Sequence, residues 1–462
     1  MSNELKNVHE PARDIRVRRS VDVLVVGGGP AGLMAAEAAS RGGVKVMLVE
    51  ARSFLGGNLV IGIPILAFLD INGKQIIKGL PQRFIDRMRE RNAASEHFPC
   101  KLHMSYTLVH PEESKTVAMQ IMEESGVEVL MNVFAAGVVM EGRRIGGVVI
   151  ESKSGREAIL AKTVIDCTGD GDIACLSGVE WTKGDEGGGM QPPTLMFCMR
   201  GVEVDKLRDA ASNHPDRYDM DIMPPEHFRK EKFVTVGLRQ LIRKAQAEGL
   251  DIPVARTILI TGLRDDEVWV NMSRVSGIDA TRPESLTFGE NRARKQMYVI
   301  EEYLRRYVPG FEKAWIEKVA PFLGIRESRV IKGKYVLSGE DLVACRRFDD
   351  RIAVAGYPLD IHHAEGDDCT MIYCKGHYDI PYRALLPESV EHLLVAGRCA
   401  SMTHEAMAAT RVMSTCMAMG EAAGRAARIA LLDGVAPSQV EVRKVQQELI
   451  AEGAYLRQDE NR

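Results

Sequence analysis

The segment DVLVVGGGPAGLMAAEAASRGGVKVMLVEAR, residues Asp22–Arg52, indicates the class of fold. Its first apolar run, residues 23–26, leads directly into three glycines, which is typical of a buried parallel strand that ends in a tight turn. The pattern then predicts a helix over residues 30–41 and a second strand over residues 44–49. This order is that of the first unit of a doubly wound α/β fold.

The glycines of this stretch have the G-x-G-x-x-G spacing. Gly27 permits the turn, Gly29 lets the backbone approach a pyrophosphate, and Gly32 lets the helix pack against the strand. Glu50 ends the second strand, where an acidic side chain can accept a hydrogen bond from a ribose hydroxyl. The stretch therefore predicts a dinucleotide site for either NAD or FAD.

Composition narrows the classes of protein. The chain has 462 residues, of which 45% are hydrophobic, so several domains with a sizeable core are expected. A net charge of −4 and the lack of a basic tract argue against nucleic acid as a partner. The longest apolar stretch, residues 59–69, is about half a bilayer span, and the charged N-terminus is unlike a signal peptide. We expect a cytoplasmic protein without a membrane anchor.

Cysteine usage gives no sign of a disulfide framework, because the nine cysteines are scattered and odd in number. Cys369 and Cys374 lie close in sequence to His362, His363 and His377, which suggests a metal site. Their spacing matches no common zinc signature, so we expect no metal.

Two later strands also end in glycine turns. One ends at Thr168, Gly169 and Asp170, and the other at Gly397 and Arg398. Ligands of open α/β sheets bind at such carboxyl ends. The following helix, in RVMSTCMAMGEAAGRAARIALL, is rich in Ala and Gly, which suits close approach to a cofactor or to a sheet.

The middle of the chain has a different sequence pattern. ARTILITG and EVWVNMSRV are strand-like, and a capping box at Thr287 predicts the start of a helix that ends near Tyr307. Met297, Ile300 and Leu304 share one face of that helix. This region is expected to form a separate substrate or cap domain.

Several linked motifs resemble the FAD-dependent oxidoreductase family with the glutathione-reductase-type flavin fold. They are GGGPAG, Glu50 with Arg52, LGGN, VIDCTGDGD, FLGIRESRVIKGKYVLSGEDL, YPLDIH, YDIPYRALLP and LLVAGRCAS with RVMSTCMAMGEAAG. The resemblance implies an α/β, Rossmann-like FAD-binding domain with a mostly parallel sheet, split over residues 21–175 and 345–435. An inserted α+β substrate or cap domain would span 176–344, after a disordered lead-in (1–20) and before a C-terminal helix and tail (436–462).

The resemblance also implies non-covalent FAD and a set of residues that contact it. A helix N-terminus around Arg411 to Ser414 would direct its positive end at the pyrimidine side of the flavin and stabilise the reduced form. The predicted cofactor residues are Gly27, Gly29, Pro30, Ala31, Gly32, Glu50, Ala51, Arg52, Gly57, Asn58, Phe134, Thr168, Gly169, Asp170, Gly397, Arg398, Val412 and Met413.

Candidate catalytic residues lie in the same motifs. Arg326 and Arg329 could hold a carboxylate, since a guanidinium fork matches its two oxygens, although surface ion pairing is the alternative. His362 or His363 could act as a base or bind the substrate, and the sequence does not decide between them. Arg383 is a candidate substrate contact.

Weaker candidates are Tyr382, beside Arg383, and Arg274 as an additional anion ligand. Cys399 and Cys416 flank the flavin-side helix, and packing is the expected role of both.

The predicted function is transfer of a hydride between a small anionic substrate and flavin N5. A non-redox flavoprotein, an isomerase or hydratase, is the alternative. No second G-x-G-x-x-G is present, so the electron donor or acceptor is an unidentified partner rather than a built-in NAD(P)H domain. The sequence does not decide whether the chain forms a homo-oligomer.

Overall fold

The computed structural model describes residues 7–219, 225–366 and 369–457. Residues 1–6 of the predicted lead-in and 458–462 of the predicted tail lie outside the described residues. The helices are α1 Pro30–Ala39, α2 Leu80–Glu90, α3 Pro111–Glu124, α4 Asp172–Leu176, α5 Val204–Asn213, α6 Arg239–Ala247, α7 Pro283–Tyr307, α8 Gly339–Val343, α9 His404–Thr410, α10 Met413–Asp433 and α11 Val442–Ala451.

The strands are β1 Arg16–Val26, β2 Val46–Glu50, β3 Ile65–Leu66, β4 Phe98–Cys100, β5 Met104–Thr107, β6 Glu128–Met131, β7 Phe134–Glu141, β8 Arg144–Ser152, β9 Gly155–Asp166, β10 Trp181–Thr182, β11 Phe197–Arg200, β12 Val234–Gly237, β13 Thr257–Thr261, β14 Val268–Val270, β15 Trp315–Val319, β16 Val330–Ile331, β17 Arg351–Ala355, β18 Leu359–His362, β19 Cys369–Ile372, β20 Tyr378–Pro381 and β21 Leu393–Val395.

The main sheet has the order β6-β2-β1-β9-β8-β7, and β21 pairs with the second half of β9. Pairing is parallel among β6, β2, β1, β9 and β21, and antiparallel from β9 through β8 to β7. Parallel strands place their carboxyl ends at one edge of a sheet, so the turns after β1, β9 and β21 converge there. The predicted α/β class with parallel strands is confirmed.

Helices α1 and α10 cross closely on one face of this sheet. A Cβ atom on Gly420 would lie 2.0 Å from the carbonyl oxygen of Ala31, and one on Gly424 would lie 2.2 Å from that of Ala35. Glycine is therefore required at both positions because backbone meets backbone. At these glycines, the small residues of α10 serve approach to another helix rather than to the sheet.

A second, antiparallel sheet has the order β12-β13-β14-β11-β15 and its own hydrophobic cluster. Helix α7 belongs to that cluster through Met297, Ile300 and Leu304, as its periodicity predicted. The predicted capping box is wrong, because α7 begins at Pro283 and Thr287 lies within it. There the Thr287 hydroxyl donates to the Pro283 carbonyl at 2.8 Å.

The first strand is longer than expected. It begins at Arg16 and pairs with β9 from that residue onward, so residues 16–20 do not belong to a disordered lead-in. Arg18 makes an ion pair with Glu157 on the neighbouring strand β9, and Arg19 makes one with Glu128 on β6, two strands away. The charges that made this segment look unstructured are thus compensated across strands.

Candidate active site

A cleft at the carboxyl edge of the main sheet collects nearly all of the predicted cofactor residues. Gly32 and Val412 alone among them lie outside its lining. The predicted residues that line it are Gly27, Gly29, Pro30, Ala31, Glu50, Ala51, Arg52, Gly57, Asn58, Phe134, Thr168, Gly169, Asp170, Gly397, Arg398 and Met413.

The three glycines of the first turn have different surroundings. A Cβ on Gly27 would lie 2.4 Å from the Cys167 carbonyl oxygen, and one on Gly32 would lie 1.8 Å from that of Gly27. At Gly29 the nearest atom outside its chain neighbours is 3.9 Å away, the Cα of Gly57. Gly27 and Gly32 therefore serve packing, whereas Gly29 leaves free space in front of the N-terminus of α1, where a pyrophosphate fits.

Glu50 holds this turn in place. Its Oε2 accepts a hydrogen bond from the Gly28 backbone N–H at 2.7 Å, and its Oε1 accepts one from that of Arg52 at 2.9 Å. A carboxylate can accept about four hydrogen bonds, so capacity remains for a ribose hydroxyl.

The turns after β9 and β21 are joined by Arg398. Its guanidinium donates to the Gly169 carbonyl at 2.8 Å, to the Ile325 carbonyl at 2.6 Å and to Asp170 at 2.7 Å. Asp166 is fully buried and accepts from the Thr168 N–H and hydroxyl, which fixes the first of the two turns. The cleft wall is therefore preorganised.

An inner cavity adjoins the cleft and shares Asn58, Arg411 and Met413 with it. Its lining comes from β12 and β13 of the second sheet, from β3, β18 and β19, and from the start of α10. Its charged and polar lining includes His103, Arg256, Arg274, Arg326, Tyr357, Asp360, His362 and Arg411.

Two guanidiniums in this cavity lie near one carboxylate. Arg411 Nη2 is 3.5 Å from Asp360 Oδ2, and Arg411 Nε is buried without a hydrogen-bond partner among the described residues. Arg326 donates to the Pro192 carbonyl at 2.5 Å. Burial and the positive charge of Arg411 lower the pKa of Arg326 to about 10. One carboxylate does not balance two buried cations, which leaves a place for an anion.

Asp360 also orders a histidine and a tyrosine. The Tyr357 hydroxyl donates to Asp360 Oδ2 at 3.1 Å, and His362 Nε2 lies 3.4 Å from the same oxygen. Burial raises the pKa of Asp360, but His362 and the two guanidiniums outweigh it and hold that pKa below its usual range. Burial lowers the pKa of His362 to about 4, so this imidazole is neutral at pH 7.

Several predicted catalytic residues do not meet at this cavity. His363 is exposed and lies 2.8 Å from the Thr370 hydroxyl. Arg329 pairs with Asp172 and donates to the Asp170 carbonyl. Arg383 is half-exposed on the surface.

The surface partner of Arg383 is Asp350, whose carboxylate accepts a hydrogen bond from Arg383 Nε at 2.9 Å. Beside it, Tyr382 is buried and donates to the Pro437 carbonyl. Arg274 reaches the inner cavity but donates to the backbone carbonyls of Gly366 and His363. Each of these side chains therefore already has a structural contact.

Cys399 and Cys416 are buried, and burial raises the pKa of both thiols. In the described part of the chain, no three His, Cys, Asp or Glu side chains are grouped to hold a metal ion. No described helix is both long and apolar enough to cross a membrane.

Sequence reasoning assigned no role to Tyr357 or Asp360, although both stand in the quoted motif YPLDIH. An acid two residues before a histidine in a strand places both side chains on one face, and this was the available signal. Gln191, whose Oε1 accepts the His362 N–H at 3.3 Å, carried no signal of its own.

Comparison with known proteins assigns the family. The sequence profile described as FAD dependent oxidoreductase matches residues 22–449. The chain belongs to this family. FAD is accordingly the cofactor of this flavoenzyme, and the free space at Gly29 and the convergent glycine turns fit it.

Individual relatives are more distant. The alpha subunit of sarcosine oxidase from Corynebacterium sp. (strain U-96) is 41% identical over 87 residues, 19% of this chain and 8% of that protein. Thiamine thiazole synthase from Methanococcus vannielii is 29% identical over 169 residues, 32% of this chain and 56% of that protein. The flavoenzyme thus spans less than two thirds of the length of either curated relative.

Among solved structures, a geranylgeranyl bacteriochlorophyll reductase-like protein from Thermoplasma acidophilum has a TM-score of 0.50 at 15% identity. The match covers 95% of this chain and 84% of that one. At this identity the likeness shows the fold alone.

Proposed function

We propose that this flavoenzyme transfers a hydride between flavin N5 and a small organic substrate that carries a carboxylate. The observation that carries the proposal is the pair Arg326 and Arg411 beside the single carboxylate Asp360, in a cavity that adjoins the cofactor cleft. FAD, when bound, supplies the site that accepts or donates the hydride. Residues 176–344 are proposed to act as the substrate domain, because β12 and β13 contribute to the cavity wall.

The protein's own residues bind the substrate and transfer its proton. Arg326 and Arg411 bind and orient the substrate carboxylate, since fork-shaped donors fix an anion in direction as well as in place. The unpartnered Nε of Arg411 would gain an acceptor. His362, oriented by Asp360, takes or returns the substrate proton, in the way that a carboxylate fixes the tautomer of a catalytic histidine.

The pH dependence of turnover should reveal the low pKa of His362. A base must be unprotonated, and with a pKa near 4 His362 stays so throughout pH 5.5–8. We therefore expect that kcat/KM of the wild type does not fall as the pH is lowered through 6.5. His362→Gln should lower kcat about 100-fold or more at every pH in that range. A fall in wild-type kcat/KM centred near pH 6.5 that is absent from His362→Gln would show that the base has an ordinary pKa. That result would refute the low pKa of His362.

Reduction by NADH or NADPH is expected to be slow and non-saturating, since the sequence contains one dinucleotide fingerprint and FAD fills it. Stopped-flow absorbance of the flavin under anaerobic conditions measures this rate. Fast, saturable reduction by either nucleotide would mean that the inner cavity admits nicotinamide.

A further inference from the structure

The inner cavity also has an apolar wall that the proposed function does not use. The wall comes from the second sheet, where the register pairs Val234 with Ile260 and Val236 with Ile258. Side chains of directly paired residues project to the same side of a sheet, and residues two apart share that side. These four side chains, here called the apolar patch, all line the cavity.

Polar groups border the patch, and some of them already have partners. Arg256, two residues before Ile258, lines the cavity and contacts Asp219 and Cys369. The Ser273 hydroxyl already accepts the Leu195 N–H at 2.7 Å and donates to the Leu195 carbonyl at 3.1 Å.

His103 lies parallel to the Tyr357 ring and is neutral at pH 7, because burial lowers its pKa to about 4. Its Nδ1 is buried without a hydrogen-bond partner among the described residues. A second carboxylate placed against the four aliphatic side chains themselves would lose its hydration without compensation. A hydroxyl beside His103 or Asn271 would find a hydrogen-bond partner.

The size of the cavity limits the ligand body. It encloses about 150 Å³. An engineered protein cavity of about this volume, lined by aliphatic and aromatic side chains, accommodates benzene. The cavity therefore has room for an apolar body no larger than about one six-membered ring.

We propose that the substrate is a monocarboxylate with an apolar body of about that size. The carboxylate binds Arg326 and Arg411, and the body packs against the apolar patch. The position of the carboxylate rests on the proposed function, whereas the apolar body rests on the patch and the volume alone. Small diacids, which have no apolar body to pack against the patch, are disfavoured as substrates.

The test is isothermal titration calorimetry of the FAD-loaded protein with three probes: cyclohexanecarboxylate, cyclohexanecarboxamide and succinate. Each buried methylene is worth about fourfold in affinity, so the ring acid should bind about 10- to 100-fold tighter than succinate. Ile258→Asn should reduce this ratio at least about fivefold, and so should Val236→Thr, which keeps the side-chain shape. Ile316→Asn, on β15 and outside the cavity lining, is the matched control and should leave the ratio unchanged.

The outcomes separate the two claims. Succinate binding as tightly as the ring acid, no binding of the ring acid at millimolar concentration, or a ratio that neither patch variant alters would each overturn the apolar assignment. Equal binding of the ring acid and its amide, both tighter than succinate, would retain the apolar body and reject the carboxylate clamp of the proposed function.

Discussion

The Gly29→Leu protein is expected to purify folded and colourless. Gly29 has φ −79° and ψ −171°, which any residue adopts, and no atom lies closer than 3.9 Å to its added Cβ. The leucine side chain therefore occupies the space in front of α1 and excludes the pyrophosphate from its backbone donors. Loss of two charge-assisted hydrogen bonds, at about 1.5–3 kcal/mol each, weakens FAD binding at least about 100-fold.

Visible absorbance and the melting temperature of the apoprotein measure the two parts of this prediction. The contrasting variant is Gly32→Val, whose Cβ would lie 1.8 Å from the Gly27 carbonyl oxygen. It should destabilise the fold itself rather than only the cofactor site. A Gly29→Leu protein that keeps one FAD per chain would show that the pyrophosphate does not lie at this turn.

The Arg326→Ala protein is expected to retain FAD and to lose about 30- to 1000-fold in kcat/KM. Removing a buried guanidinium that binds an anion costs about 2–4 kcal/mol of transition-state stabilisation. FAD binding should change little, because Arg326 lines the inner cavity and not the cofactor cleft.

The matched variant is Arg383→Ala. Arg383 is also a guanidinium in a family motif, but its partner is Asp350 on the surface. It should alter kcat/KM less than about threefold, the range expected of a surface ion pair. Normal turnover by Arg326→Ala, or equal losses in the two variants, would reject the clamp.

The residues that line the cleft could be named from the sequence because the signals are local; that they contact FAD stays a prediction. Gly27, Gly29 and Gly32 specify a turn, and a strand that ends in Gly397 and Arg398 specifies another, without knowledge of the rest of the chain. Their convergence follows from one rule, that parallel strands end at the same edge. The chain's resemblance to a flavoprotein family supplied the choice of FAD.

The inner cavity could not be predicted in this way. Arg326 and Arg329 are three residues apart in one extended segment, yet one lines the cavity and the other pairs with Asp172. Asp360 and Arg411 come from different elements, so their proximity depends on tertiary packing. The apolar patch depends on the register of β12 with β13, which neither strand specifies alone.

Whether a substrate carboxylate is needed for hydride transfer is tested by anaerobic mixing of the oxidised holoenzyme with matched pairs of carboxylic acids and their amides, followed by flavin absorbance. The same pairs are added to chemically reduced enzyme, to detect substrates that are reduced. We predict that an acid bleaches or restores the flavin in a saturable way, that its amide does so at least about 30-fold less efficiently, and that Arg326→Ala removes the difference. Equal reaction of acid and amide would rule out the carboxylate clamp, and turnover of an acid while the flavin stays oxidised would favour the isomerase or hydratase alternative.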